Sequence, residues 1–372
     1  MVVKLFDGQP YETPITMLYS TLTPFNKPLA SIFAAILGSL TLFSSVSIAE
    51  TVAPSSLNNN KVQQRTFCVW DPVGAGGPLV SMVKGLIPKS IGWGVKLNIE
   101  AYTDENVAAN DFKGGVCDAV MLTDASVRDF NKFTASFNAV GAIPGEPELR
   151  TLLTTLSSPK AAKLMIQDNY EVAGILPIGS VFIFVRDKAI DNVEHFQGQK
   201  MAVLNGDPAG TIMVRRVGGS PVPSSLANFA GMFNNGSVDI VFAPAVAFNT
   251  MELYKGLGEG GGILEYPLLH TSLQVIIRHD GFPEGYGQKL REYSLSKLDS
   301  MIEVVKAAES EIPEKYWIKI AETDKNQYNE YMRESRLSLR DQGLYEPKAL
   351  RLMRKVRCKH VPSDGECASK VE

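Results

Sequence analysis

The stretch SVFIFVRDKAIDNVEHFQGQKMAVLN, residues 180–205, constrains the fold more than any other. It opens with an apolar run, residues 181–185, too short for an independent helix. A turn-like charged patch follows at Arg186, Asp187 and Lys188, and a short helix or turn over 192–196 leads to Gly198. A second apolar run, 201–204, ends at Asn205-Gly206-Asp207-Pro208. Short apolar runs bounded by charged, Gly and Pro punctuation read as strands. The pattern predicts two strands joined by a capped turn, forming a ligand-facing edge of an α/β domain. The chain before it reads as one α/β lobe, and the chain after it as a second lobe followed by helices.

A chain of 372 residues accommodates about two domains. With 21% charged residues and a net charge of -3 there is no basic stripe of the kind nucleic-acid binding leaves. Lys27, an apolar run over 28–42 and small residues ending in Ser47 and Ala49 make a secretory signal peptide over 1–49, translated from Met1 or Met17. A membrane anchor is the rival reading. The run is broken by Gly38 and serines and is shorter than the roughly 20 residues a span needs. Residues 50–64 are polar, with Pro54 and an Asn run, and read as a flexible lead-in. Export to an oxidising compartment fits the cysteines: Cys68, Cys117, Cys358 and Cys367 are even in number and all lie beyond the leader. Cys358 and Cys367 flank the loop CKHVPSDGEC, which reads as a closed disulfide loop, and Cys68 and Cys117 sit on apolar runs that a second bridge would join. A metal site is the alternative. It lacks a C-x-x-C pair, and only His360 stands near a cysteine.

Residues 66–70 form a strand that runs into Asp71-Pro72-Val73-Gly74-Ala75-Gly76-Gly77-Pro78 and a helix over 79–88. Such a turn either offers backbone N–H groups to a ligand or is a plain tight turn; it has neither a P-loop nor a dinucleotide fingerprint. A strand over 95–102, a helix over 103–112 and a strand over 116–122 complete a doubly wound arrangement. Ligands sit at the carboxyl ends of such strands, which nominates Trp70, Asp71, Gly74, Thr123 and Asp124. Helix capping is the competing and commoner job for both aspartates. Helices are expected over 148–156 and 158–167, a strand over 172–175, a helix over 211–217 carrying Arg215 and Arg216, a helix over 226–233 and a strand over 238–242. Residues 264–277 read as a long strand, interrupted at His270, able to span both lobes. From 283 to 340 the pattern is helical and charged, and a last helix over 349–356 precedes the cysteine loop.

The chain has no Gly-x-Ser-x-Gly elbow, no His-Glu-x-x-His and no nucleophilic cysteine with a partner, and its four histidines are scattered. No cofactor or metal motif is present. An exported two-lobed α/β protein without a catalytic constellation reads as a binding protein, not an enzyme, whose lobes close on one small molecule.

The segment FQGQKMAVLNGDPAGTIMVRRVGGSPVPSSLANFAGMFNNGSVDIVFAP resembles the second-lobe block of DctP-type extracytoplasmic solute receptors of TRAP transporters. The matching parts are Gly198-Gln199-Lys200, Gly219-Ser220-Pro221-Val222-Pro223 and Gly236-Ser237-Val238-Asp239. GGVCDAVMLTD and LLHTSLQVIIRHDGFPE are similar to a first-lobe strand and to the return strand of the same receptors. More narrowly the chain resembles the AdeT group of solute-binding proteins, a label that places them with aminoglycoside efflux. The resemblance implies an α/β, two-lobed periplasmic binding protein fold of type II with extended C-terminal helices. It implies a first lobe over 65–180 plus part of 245–345, a second over 181–244 plus part of 265–300, and a C-terminal helix and cysteine loop over 346–372. The implied partners are a small-molecule solute and a membrane permease.

One departure stands out. These receptors place a carboxylate-clamping arginine on the strand after "Lys-Gly-x-Lys", and here Ala202 occupies its place. The remaining cleft candidates are Trp70, Asp71, Asp124, Phe182, Phe184, Asn205, Asp207, Asp239 and Phe242, with His270 on the long strand. Aromatic faces beside carboxylates suit a cationic or amine-bearing solute. The alternative is an accessory envelope subunit of a transport or efflux system without a functional cleft.

Overall fold

The computed structural model describes residues 62–372. The leader over 1–49 lies outside the described residues, as does most of the lead-in; pairing has already begun at Gln63, three residues earlier than the apolar run suggests. Ten strands follow: β1 (Gln63–Trp70), β2 (Val95–Tyr102), β3 (Ala119–Thr123), β4 (Ile166–Gln167), β5 (Tyr170–Val185), β6 (Lys200–Leu204), β7 (Ser220–Ser224), β8 (Ile240–Pro244), β9 (Gly262–Arg278) and β10 (Trp317–Ile318). Between and after them come α1 (Pro78–Lys84), α2 (Ile87–Gly92), α3 (Glu105–Lys113), α4 (Lys132–Ala135), α5 (Glu146–Ser157), α6 (Pro208–Arg216) and α7 (Phe229–Asn234). The rest are α8 (Ala247–Thr250), α9 (Tyr254–Leu257), α10 (Tyr286–Ser296), α11 (Leu298–Ser310), α12 (Glu322–Asp341), α13 (Pro347–His360) and α14 (Gly365–Ser369).

All the strands belong to one sheet, with the main order β2-β1-β3-β9-β5-β8-β6-β7. β2, β1 and β3 run parallel at one end, and β8, β6 and β7 run parallel at the other. The antiparallel pair β5 and β9 joins these two wings. Both strands cross from wing to wing. β9 meets β3 through Leu273–Ile277 and the carboxyl end of β5 through Gly262–Leu264, and that same end of β5, Val181–Val185, meets β8 on its other side. The long strand expected over 264–277 is therefore β9. The separate strands expected over 172–175 and 181–185 are a single β5. Pro177 and Gly179, which read as a break, sit at a register shift, where a missing N–H and a backbone φ of +117° are tolerated without ending the strand.

The edge read from residues 180–205 is corrected in the same way. The runs 181–185 and 201–204 are strands, but β8 lies between them, so neither is an edge. The expected helix over 158–167 is instead a 3₁₀ turn, Pro159–Leu164, followed by β4.

Helices cover both faces, and burial on two sides explains the near-continuous apolar runs. In the first wing Phe67, Val69, Ala119 and Met121 pack with Val80 and Val83 of α1 and Leu290 of α10. Their neighbours Cys68, Val120 and Leu122 face Phe112 of α3, Leu156 of α5 and Met353 of α13. In the second wing Phe182, Phe184 and Val241 pack against α7 and α8, while Ile183, Met201 and Val203 face α6 and α12. Both expected disulfides are present: Cys68–Cys117, with Cα atoms 5.9 Å apart, staples β1 to the turn before β3, and Cys358–Cys367, at 5.6 Å, ties α13 to α14.

Candidate functional site

A cavity of about 210 Å³ opens where the two wings meet. From the first wing come Asp124, just beyond β3, and Asn138 and Val140 from the segment after α4. From the crossing strands come Val181 and Ile183 of β5 and Leu268, Leu269 and Thr271 of β9. From the second wing come residues 201–204 of β6, Asp207, Met213 and Val214 around α6, Ser224 of β7, Phe229 of α7 and Phe242 of β8. α12 closes the remaining side with Tyr328, Tyr331, Met332 and Ser335. The carboxyl ends of β3, β6 and β7 all point here, as the parallel wings dictate.

Most of the wall is apolar, and among the described residues no lysine or arginine lines it. Its two carboxylates are Asp124 and Asp207. Asp124 is buried and accepts from Ser272 N at 2.7 Å, Ser272 Oγ at 3.1 Å, Thr271 Oγ1 at 3.0 Å and Asn138 Nδ2 at 3.5 Å. Burial pushes its carboxyl up to about 6, against the pull of those hydrogen bonds. Asp207 caps α6 by accepting from Ala209 N at 3.0 Å, and burial raises it too, with Gly210 N–H, Arg128 and Ala209 N–H pulling the other way. A small polar pocket adjoins the cavity at Asp207, lined by Asp104, Glu105, Asn106, Ser126 and Asn205. Burial pushes Glu105 up to about 7, although Ser126 and Thr123 donate to it. The Tyr328 hydroxyl is buried and has no hydrogen-bond partner among the described residues.

Of the residues singled out from sequence, the cavity gathers Asp124, Ala202, Asp207 and Phe242, and the adjoining pocket takes Asn205. The others lie elsewhere. Asp71 is fully buried and caps α1, accepting from Val73 N, Leu79 N and Val80 N at 3.0, 2.8 and 3.0 Å. The N–H groups of the glycine turn thus serve the protein itself. Gly74, at φ +85°, shapes that turn, donating to Asp71 O at 2.9 Å. Trp70 belongs to the core beneath α1, and Thr123 is buried with its amide donated to Glu105. Phe182 and Phe184 share a face, as alternation requires, but it is the face packed on α7 and α8; the cavity meets Val181 and Ile183 instead. Asp239 binds Lys200 N at 2.8 Å and so ties β8 to β6. His270 faces away from the cavity that its neighbours Leu269 and Thr271 line. It reaches Ser180 Oγ at 3.5 Å, and burial pushes it down to about 4. Sequence reasoning put α12 in a helical, charged stretch but did not place it at the site. Its signal was the spacing Tyr328, Tyr331/Met332, Ser335, one face of a helix that otherwise reads as charged.

The family described as "Solute-binding protein AdeT 1/2" matches residues 79–372. Probable solute-binding protein AdeT1 of Acinetobacter baumannii is 41% identical over 300 residues, 81% of this chain and 99% of that protein. Probable solute-binding protein AdeT2 of the same organism is 28% identical over 232 residues, 62% of this chain and 98% of the other. Among solved structures, a TRAP periplasmic solute-binding protein from Sulfitobacter with bound β-D-galacturonate superposes with a TM-score of 0.64 at 13% identity, covering 78% of this chain and 100% of that one. Another from Haemophilus influenzae, with bound L-gulonate, gives 0.63 at 12%, covering 79% and 99%. The fold is that of the two-lobed TRAP receptors, and the chain belongs to the AdeT 1/2 family of solute-binding proteins.

Proposed function

We propose that the chain is the periplasmic receptor of a membrane permease, and that the solute it captures has a largely apolar body and a positively charged amine. The observation that carries this reading is the charge of the cavity: two carboxylates, no lysine or arginine among the described lining residues, and apolar walls. The neighbours' acids are those proteins' ligands, and Ala202, which the sequence resemblance sets at the place of a receptor arginine, lines this cavity. Asp124 is satisfied by neutral donors; Asp207 accepts from backbone amides and feels Arg128 from outside the lining, so no cation within the wall answers either charge. An ammonium between them gains Coulomb energy that water would screen. The aromatic faces that support a cation are Phe229, Phe242 and Tyr331, in place of Trp70, Phe182 and Phe184. The unpartnered Tyr328 hydroxyl offers a further polar contact. This reading keeps the lobes set out from sequence, 65–180 plus part of 245–345 and 181–244 plus part of 265–300, as part of the proposal, with the cavity between them.

Thermal unfolding against a panel of aryl- and alkylamines, dicarboxylates and sugar acids tests this. A ligand at a hundredfold excess over its Kd adds about 2.7 kcal/mol of stability. Amines are expected to shift the transition and acids to leave it unmoved, and the amine shift should shrink by about tenfold in affinity in Asp207→Asn. Tight dicarboxylate binding without amine binding sinks the amine assignment. Silence across the panel with a folded protein favours the accessory-subunit reading.

A further inference from the structure

Behind the cavity wall, away from the solute, lies a buried group of four charges that the binding site does not use. Arg336 of α12 and Arg357 of α13 are 2% and 5% exposed, and both face Glu366 of α14 and Glu372. Arg336 Nη2 meets Glu366 Oε1 at 2.5 Å and its Nε meets Glu372 Oε1 at 2.6 Å; Arg357 Nη2 meets Glu372 Oε2 at 2.7 Å and also pairs with Glu366. In each arginine Nη1 turns toward the cavity wall. Arg336 Nη1 donates to Val140 O at 2.8 Å and Arg357 Nη1 to Ala142 O at 2.7 Å. Between these carbonyls, Gly141 donates its amide to Leu268 O at 2.8 Å. A Cβ at Gly141, where φ is +62°, would stand 2.9 Å from Arg336 Nη1. Val140, Leu268 and, on α12, Met332 and Ser335 are cavity wall. The disulfide is placed beside the charges: Cys358 follows Arg357, and Cys367 follows Glu366.

We propose that Glu366 and Glu372, pinned by the Cys358–Cys367 bridge, act as positioning residues that hold the 138–142 wall of the cavity in its binding shape through Arg336 and Arg357. The carboxylates fix the two guanidinium planes, the guanidiniums fix the carbonyls of Val140 and Ala142 on either side of Gly141, and the wall is locked to β9 through the Gly141 amide. Removing one carboxylate leaves each buried guanidinium with one ion-pair partner in place of two, and the guanidiniums shift to regain solvation and loosen their hold on the carbonyls. The bridge is also the more accessible of the two. Cys358 and Cys367 are half-buried, while Cys68 and Cys117 are fully buried. A dithiol reductant supplies two electrons and two protons, converts Cys358–Cys367 to two thiols, is itself oxidised to a cyclic disulfide, and frees α14 to swing out. The latch is thereby open to redox control. Its effect on affinity rests on the cavity being the solute site; its effect on the wall does not.

The test follows amide hydrogen exchange, read by mass spectrometry, in the native chain, Glu372→Gln, Glu366→Gln and Cys358→Ser/Cys367→Ser, and in the native chain treated with dithiothreitol. The latch predicts that peptides covering 138–142 and 266–270 exchange at least about tenfold faster in every altered form, while β1 and β3 keep their protection. It also predicts that 2-phenylethylammonium binds about tenfold more weakly in those forms. Unchanged exchange at 138–142, or an equal rise in β1 and β3, overturns the proposal. The reduced native chain supplies that answer even where a variant fails to fold. A selective rise at the wall in a protein that binds no probe, wild type included, supports the latch and defeats only the solute reading.

Discussion

Every oxygen of the Asp71 carboxylate is committed to a backbone amide, and the closeness of that arrangement is set by Gly77, where a Cβ would fall 2.0 Å from Asp71 Oδ1. Asp71→Ala leaves the α1 amides unanswered in a buried site and is expected to lower unfolding free energy by about 2 kcal/mol, measured by urea denaturation. Asp124 makes the opposite kind of contribution. Its folded-state carboxyl, at about 6, and that of Glu105, at about 7, lie above their unfolded values. The stability they contribute is fully present below about pH 4 and is lost as pH rises through 6 to 7. Glu366 opposes this at the acid end: burial resists its charge, yet Arg336 and Arg357 hold it below the usual range, so its contribution is lost on strong acidification. Thermal unfolding from pH 4.5 to 8 should therefore show stability falling as pH rises. Asp124→Asn should flatten that slope by at most about 3 kcal/mol. From sequence, Asp71 and Asp124 look alike, each ending an apolar strand. What separates them is the neighbour across space: α1 backs onto Asp71, whereas β9 delivers Thr271 and Ser272 beside an open volume to Asp124.

Strands and disulfides were the most legible elements, because short apolar runs and paired cysteines are local signals. β5 was the exception. Pro177 and Gly179 carry the punctuation of a loop, and pairing with Ser272 and Thr271 of β9 carries the strand through them. α12 was legible as a helix but not as a wall of the site: its many charges hide a single stripe, Tyr328 to Leu339, whose value lies in what it covers. The Cys68–Cys117 bridge, 49 residues apart in sequence, acts at this scale by tying β1 to the chain entering β3. Closing a loop of that length restricts the unfolded chain, so Cys68→Ala/Cys117→Ala should cost about 4 kcal/mol, less where the denatured chain is already compact, as read from denaturant midpoints.

For the molecule as a whole, two parallel wings could have been two independent domains joined by linkers, which is what the count of residues and the two α/β readings anticipate. The sheet makes them one object. β5 and β9 each run through both wings, so no cut at a single loop separates the lobes, and any boundary severs two strands in their middle. For anyone building sensors or hybrid receptors from this scaffold, the lobes are not interchangeable parts. Swapping one for a relative's would transplant half of each spanning strand together with its register shifts, and specificity is better rewritten side chain by side chain from the wall inward.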